Sequence, residues 1–191
     1  MTQATIPDQD PILDAVVRVI MRYGVRRTTM NDIAREADVS RQTLYGRYTN
    51  KDGVMLAAME YVVAQMLAQV RADWGSQNTL SDKLWSFFDH TTIRFYTMVQ
   101  QMPDAEDLIS GGDKESEKAS HQMMRHKMAM LEPLFTPHQA ALARNGQTAE
   151  DLAEFIVTTC NGLKYGATSE QKLEQMLETL RLMVLKLVGE A

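Results

Sequence analysis

The hydrophobic and polar positions of this chain follow a helical period along its whole length. Apolar residues recur three or four positions apart, and no alternating apolar and polar segment indicates a strand. Residues that favour helix starts divide the pattern into segments, and they are Asp10, Ser40, Asn50, Ser81, Thr148 and Ser169. The pattern therefore predicts an all-α protein of about nine helices.

Residues 28–51 predict two short helices joined by a tight turn. Thr29, with Asp32 three residues later, has the spacing of a capping box at the start of the first helix. Asp38 can form the turn because aspartate tolerates left-handed backbone better than most residues other than glycine. Ser40 can then cap the second helix.

The second of these two helices has a narrow apolar face and a broad polar one. Leu44 and Tyr48 lie four residues apart and can face inward together. The side chains left to face outward are Arg41, Gln42, Thr43, Tyr45 and Arg47. Guanidinium, amide and hydroxyl groups on a protruding helix suit base edges and phosphate oxygens in a DNA major groove. The pattern thus indicates a DNA-recognition helix.

This arrangement resembles the helix-turn-helix of the tetracycline-repressor (TetR) family of bacterial transcription regulators. The resemblance covers residues 12 to about 56 and consists of ILDAVVRVIMRYG, TTMNDIA, a turn containing VS, TLYGRY and NKDGVML, in that order. Two positions depart from the family pattern, since Asp38 replaces the usual glycine and Tyr48 the usual phenylalanine. The resemblance implies a homodimeric repressor that a small effector releases from a palindromic operator in double-stranded DNA.

The resemblance also implies which residues contact DNA. Arg41, Gln42 and Thr43 in the first turn of the recognition helix are expected to read bases, while Tyr45 and Lys51 are expected to bind phosphates. The full predicted set is Thr28, Thr29, Ser40, Arg41, Gln42, Thr43, Tyr45, Arg47 and Lys51. The alternative is that these are ordinary solvated surface residues.

The distribution of charge agrees with a DNA-binding N-terminal region, although the net charge of the chain is −5. Residues 18–51 contain eight basic and three acidic residues, a net charge of +5. Residues 61–191 contain twelve basic and seventeen acidic residues, a net charge of −5. Such a division favours a basic N-terminal region that faces DNA phosphates and an acidic region over the rest of the chain. Ordinary surface charge is the alternative.

The predicted domains are a DNA-binding domain over residues 1–52 and an effector-binding and dimerisation domain over residues 53–191. The central helices of the second domain are rich in aromatic residues and methionine. The resemblance implies a cavity there for a small apolar or aromatic effector. Its predicted lining is Met66, Trp85, Phe88, Thr92, Phe95, Met128 and Phe155. Simple core packing is the alternative, because methionine also fills irregular spaces in cores.

The last two predicted helices carry broad apolar stripes. The resemblance implies that they meet their copies from a second subunit in a four-helix bundle, and a dimer would supply two DNA-binding domains for a palindrome. The predicted interface residues are Leu152, Ile156, Leu163, Leu173, Leu177, Leu180 and Val184. An intramolecular helix pair is the alternative.

Other classes of protein have little support in the sequence. His121 and His126 lie five residues apart, whereas one helical face needs three or four, so no metal site is expected. Cys160 reads as a core residue, no nucleotide-binding glycine loop is present, and we expect no catalytic residue, cofactor or enzymatic activity. We expect a cytoplasmic protein outside the membrane, because no long apolar run or secretory signal is found and a single cysteine fits a reducing compartment.

Two alternative functions remain open at this point. One is a DNA-binding regulator without a small-molecule effector, either constitutive or gated by another protein. The other is a helical binding or enzyme domain that does not bind DNA.

Overall fold

The computed structural model describes residues 10–103 and 114–190, and both stretches are helical. The α-helices are α1 (Pro11–Arg27), α2 (Met30–Glu36), α3 (Arg41–Arg47), α4 (Lys51–Trp74), α5 (Leu80–Phe88), α6 (Arg94–Gln100), α7 (Lys114–Phe135), α8 (Gln139–Ala143), α9 (Ala149–Gly166) and α10 (Glu170–Val188). A π-helical segment, Asp89–Ile93, joins α5 to α6, and a 3-10 turn, Thr136–His138, joins α7 to α8. The described residues form no strand, and the all-α fold is confirmed.

Most predicted helix starts are confirmed by capping hydrogen bonds. The side chains that accept backbone N–H groups at these starts include Asp10, Ser40, Asn50, Thr148 and Ser169. The prediction for Ser81 is wrong, because Thr79 caps α5 and accepts a hydrogen bond from the backbone N–H of Asp82 at 3.0 Å. Both residues suit a helix start, and only the observed backbone path selects between them.

The described residues separate into two compact units. The first contains those up to residue 68 and those between 98 and 119. In this unit α1, α2, α3 and the beginning of α4 enclose an apolar cluster formed by Ile12, Leu13, Val16, Met30, Ile33, Ala34, Leu44, Val54 and Ala58. Helices α1, α2 and α3 thus share one core.

The second unit contains residues 69–97 and those described from 120 onward. Helix α10 packs against α5, the π-helical segment, α8 and α9 in this unit. Its fully buried large side chains include Phe87, Phe88, Leu131, Phe135, Ile156, Leu173 and Leu177. A continuous core therefore forms within one chain, and α4 contributes residues to both units.

Helix α4 is long and apolar enough to cross a membrane if length and composition are the only criteria. Core helices of soluble proteins meet the same criteria. Val54 and Ala58 belong to the core of the first unit, and Leu67 and Val70 are also buried. Packing within the protein therefore accounts for part of the apolar character of α4.

Candidate nucleic-acid interface and ligand cavity

The turn before α3 has the geometry that the sequence predicts. Asp38 has a φ of 53°, in the left-handed region. The backbone N–H of Val39 donates to the carbonyl of Ala34 at 3.0 Å and closes the turn. Ser40 Oγ then accepts a hydrogen bond from the backbone N–H of Thr43 at 3.0 Å. These local interactions fix where α3 begins.

Helix α3 presents the predicted polar surface to solvent. Leu44 is buried in the core of the first unit. The exposed side chains are Arg41, Gln42, Thr43, Tyr45 and Arg47. Two guanidinium groups, an amide and two hydroxyl groups therefore lie on an exposed helix, with Arg41 and Gln42 in its first turn.

Other predicted DNA-binding residues have structural roles in this unit. Thr28 is 1% exposed, and its hydroxyl donates to the carbonyl of Gly24 at 2.7 Å. This buried bond makes Thr28 a support for the end of α1 rather than a surface group. Thr29 and Ser40 are exposed, and their hydroxyls cap α2 and α3. Lys51 Nζ donates to a backbone carbonyl of α1 at 3.1 Å.

Ion pairs distinguish the basic residues of this region from one another. Glu36 accepts a hydrogen bond from Arg18 at 2.8 Å, and this bond lowers the pKa of the Glu36 carboxyl. Arg47 pairs with Asp10. Arg41 forms no ion pair with any side chain that the structure describes. Arg41 is therefore the arginine of α3 whose guanidinium is available without breaking an existing pair.

A small cavity lies in the second unit beside the π-helical segment, α7 and α9. Its volume is about 10 Å³, and its lining residues are Phe87, Thr91, Thr92, Met124, Lys127, Val157, Cys160, Asn161 and Lys164. This volume is close to the space that one water molecule needs. π-helical segments frequently occur at functional sites, which makes this cavity a candidate for ligand binding.

Among the residues predicted to bind a ligand, Thr92 lines this cavity. Phe88, which is fully buried, and Phe155, which is 55% exposed, are not among the lining residues. Met66 belongs to the first unit. The half-buried members of the predicted set are Trp85, Phe95 and Met128. Aromatic and methionine content identified the helices, but it did not distinguish side chains that face the cavity from those that pack elsewhere.

Sequence reasoning missed two lysines in the cavity lining, Lys127 and Lys164. Burial lowers the pKa of both side chains, and the nearby charge of Lys127 further lowers that of Lys164, to about 7. Lys164 Nζ lies 4.5 Å from the centroid of the Phe95 ring. The signal in the sequence was the position of Lys164, four residues after Cys160 on the buried stripe of α9.

The single cysteine has the properties of a core residue. Burial raises the pKa of the Cys160 thiol to about 11, so it is protonated at neutral pH and is a poor nucleophile. Within the described ranges, no group of three or more histidine, cysteine, aspartate or glutamate side chains could hold a metal ion.

The predicted dimerisation residues are mostly buried within one chain. Leu163 is half-buried. The other six are at most 5% exposed, and they are Leu152, Ile156, Leu173, Leu177, Leu180 and Val184. They are unavailable to a second subunit because they fill the core of the second unit. The large apolar side chains that α9 and α10 expose are Phe155, Tyr165, Leu182 and Met183.

Comparison with known proteins identifies the helix-turn-helix region. Residues 12–58 match the family described as bacterial regulatory proteins, tetR family. The N-terminal region of the chain belongs to the tetR family. This match includes α1, α2 and α3, and it therefore contains the exposed helix that carries Arg41 and Gln42. The family consists of regulatory proteins, in agreement with the prediction that the chain is not an enzyme.

Two curated relatives resemble the N-terminal part of this tetR-family protein. An uncharacterized HTH-type transcriptional regulator from Mycobacterium tuberculosis is 32% identical over 78 residues, 41% of each chain. The nicotine-responsive transcriptional repressor HdnoR from Paenarthrobacter nicotinovorans is 33% identical over 70 residues, 37% of this chain and 36% of HdnoR. The match thus spans about two fifths of the length of these relatives.

A solved structure resembles the tetR-family fold over most of the chain. It is the transcriptional regulator FadR from Bacillus subtilis in complex with stearoyl-CoA, with a TM-score of 0.62 and 19% sequence identity. The similarity covers 95% of this chain and 98% of the FadR chain. At this identity the likeness establishes the fold.

Proposed function

We propose that this tetR-family protein is a homodimeric, cytoplasmic transcriptional repressor that binds a palindromic operator and is released by a small-molecule effector. The observation that carries the DNA-binding part is the exposed first turn of α3 within the family match. Arg41 and Gln42 offer donors and acceptors that suit bidentate contacts with guanine and adenine.

Base reading and phosphate binding would be divided among different side chains of the first unit. Arg41, Gln42 and Thr43 would enter the major groove first, because they form the N-terminal turn of the recognition helix. Tyr45 and Lys51 would bind phosphates and fix the position of that helix on the duplex. Arg47 would reach a phosphate only by exchanging its pairing with Asp10.

We propose a dimer interface on the exposed faces of α9 and α10. Phe155, Gly162 and Tyr165 are spaced so that they share one side of α9, and a side-chain carbon added at Gly162 would meet no other atom within 4 Å. Leu182 and Met183 supply the apolar surface of α10. Exposed large apolar side chains on both helices favour association. To bind successive major grooves, such a dimer needs its two recognition helices about 34–36 Å apart.

The cavity of the second unit supports the effector part of the proposal. The same interpretation is favoured by HdnoR, a nicotine-responsive relative, and by FadR, a protein of similar fold whose structure contains stearoyl-CoA. A volume of about 10 Å³ requires the lining to move before a ligand enters. Met124 and Lys164 have flexible side chains that can do so. The small volume also favours the alternative, a regulator that is constitutive or gated by another protein.

Release from DNA would follow from a difference in affinity between two conformations. One conformation of the dimer would space its two recognition helices to match successive major grooves, and the other would not. An effector that binds the second conformation more tightly lowers the affinity of the dimer for DNA. Helix α4 is the covalent connection through which such a change would pass, since it contributes residues to both units.

Selection of binding sites from a random duplex library with the purified full-length protein tests this function. We expect an enriched inverted repeat whose half-sites have centres one helical turn apart or a multiple of it. Binding should weaken steeply with salt, because phosphate contacts release counterions. Recovery of no common sequence, with no duplex retained at low salt, would contradict the proposal.

A further inference from the structure

The cavity of the second unit carries more hydrogen-bond donors than an apolar ligand needs. Lys127 on α7 and Lys164 on α9 supply two amines, Asn161 supplies an amide and Thr92 a hydroxyl. Among the residues that the structure describes, the lining contains no carboxylate. Neither amine forms an ion pair or hydrogen bond with a side chain that the structure describes. The lining is therefore electropositive when the amines are protonated.

The two lysines lower the stability of the folded protein when their amines are protonated. Burial lowers the pKa of each, and the charge of Lys127 lowers that of Lys164 further, to about 7. The ring of Phe95, 4.5 Å from Lys164 Nζ, offers partial compensation through its electron-rich face. A partly buried charge without an anionic partner lowers stability, so packing alone does not account for the pair.

An anion between the two amines would reverse this cost, because an opposite charge favours the protonated form of both. The lining also includes the apolar side chains of Phe87, Met124 and Val157, so the ligand must also carry an apolar part. A carboxylate is a compact anionic group with two acceptor oxygens. It can accept hydrogen bonds from two separate amines. Because the cavity of about 10 Å³ has room for about one water molecule, the lining must still move before the ligand enters.

We propose that the effector is an organic carboxylate whose acidic group is held by Lys127 and Lys164, with its apolar part against Phe87, Met124 and Val157. This inference rests on the proposed effector role of the second unit. It adds an acidic group to the small apolar or aromatic effector that the sequence suggests.

Isothermal calorimetry on the full-length protein tests the proposal with matched acids and alcohols. The probes are octanoate with octanol, and phenylacetate with phenylethanol, so that each pair differs chiefly in the charged group. We expect at least one acid to bind about tenfold more tightly than its alcohol, the effect of a hydrogen-bonded charge. If neither acid binds more tightly than its alcohol, the proposal is overturned, and this comparison requires no variant.

Two variants assign the preference to the lysines. Lys127→Met and Lys164→Met keep a long flexible side chain and remove the charge, and each should abolish the preference for the acid. Lys172→Met is the matched control, because Lys172 is exposed on α10 and outside the cavity lining. This control should retain the preference. A preference that persists in both cavity variants would also overturn the proposal.

DNA binding is measured separately, so the two proposals can fail independently. Calorimetry requires no DNA, and fluorescence anisotropy then reports whether the bound acid lowers the affinity for the selected operator. An acid that binds through the lysines and leaves operator affinity unchanged supports the carboxylate site and contradicts the effector role. If the acid neither binds the protein nor lowers its affinity for the operator, the proposal of a carboxylate effector is contradicted. The DNA-binding function is left intact by that result.

Discussion

Lys164 Nζ lies 4.5 Å from the centroid of the Phe95 ring, on one side of the small cavity in the second unit. The ring attracts a cation, but burial and the charge of Lys127 oppose protonation. The net result is a pKa of about 7, below the ordinary value of 10.5. Lys164 therefore lowers the free energy of unfolding of the free protein at each pH at which the unfolded chain protonates this amine. The reason is that protonation of Lys164 is less favourable in the folded chain than in the unfolded chain.

Lys164→Met should raise the melting temperature, and the increase should depend on pH. Between pH 7 and 10.5 the unfolded chain protonates Lys164 more than the folded chain does, so the lysine's contribution to stability rises with pH. Below about pH 7 both states are protonated and the destabilisation is complete. In thermal melts at about pH 6.5 and about pH 10, the substitution should therefore raise the melting temperature more at the lower pH.

Lys172→Met provides the comparison for this experiment, because it removes an exposed lysine from the same unit. It should change the melting temperature little at either pH, since isolated surface charges contribute little. An equal effect of Lys164→Met at both pH values would show that Lys164 has an ordinary pKa in the folded protein.

Local sequence signals were sufficient to predict the candidate DNA-binding surface. The caps at Thr29 and Ser40, the left-handed backbone at Asp38 and the inward position of Leu44 involve residues close together in the chain. Such features depend on backbone hydrogen bonding and helical periodicity, which a single sequence displays. Thr28 was misplaced because its buried hydroxyl bond to Gly24 depends on how α1 ends.

The second unit could be predicted only in outline, because its sites depend on which helix packs against which. Periodicity identified the apolar stripes of α9 and α10, and the family resemblance assigned them to a subunit interface. Ile156 and Leu177 instead fill the core of one chain, in agreement with the alternative of an intramolecular pair. Lysines were not considered as cavity residues, although Lys127 and Lys164 occupy positions on otherwise apolar helical faces. Lysine can bury its aliphatic stem, so apolar patterning alone overlooks it.

The double substitution Phe155→Glu and Met183→Glu should dissociate the proposed dimer without unfolding the chain. Phe155 is 55% exposed and Met183 is 62% exposed, so neither change buries a charge within one chain. Each would bury an unpaired charge in the interface, at a cost of about 3–5 kcal/mol by analogy with a broken buried pair. Sedimentation analysis should show a monomer with an unchanged far-ultraviolet circular dichroism spectrum.

Leu177→Ala supplies the contrasting variant for the interface experiment. Leu177 is fully buried in the core of the second unit, so this change should lower the free energy of unfolding by about 2–5 kcal/mol. A dimer that survives the two glutamates would place the interface on another surface.

Asp38→Gly should stabilise the first unit. Asp38 has a φ of 53°, a conformation that glycine adopts at little cost. We expect an increase of about 1 kcal/mol in the free energy of unfolding, measured by urea denaturation, and a comparable decrease for Asp38→Ala. The same response to glycine and alanine would mean that the aspartate side chain, rather than the backbone angle, determines the stability of this turn.

The double substitution Arg41→Ala and Gln42→Ala tests the DNA-recognition surface on α3. Both side chains are exposed in its first turn, so their removal should leave folding and dimerisation unchanged. The matched control is Gln122→Ala with Arg125→Ala, which removes the same two chemical groups from the exposed surface of α7. The control should bind the operator as the unmodified protein does.

The affinity of these proteins for the selected operator is the most direct measurement of the central claim, that α3 reads DNA sequence. By fluorescence anisotropy at fixed salt, the α3 variant should lose about 1–3 kcal/mol for each bidentate base contact removed, or about 5- to 150-fold in Kd. Its affinity for unrelated duplex DNA should fall much less, because phosphate contacts remain. Operator binding equal to that of the unmodified protein would contradict the assignment of α3 as the recognition helix.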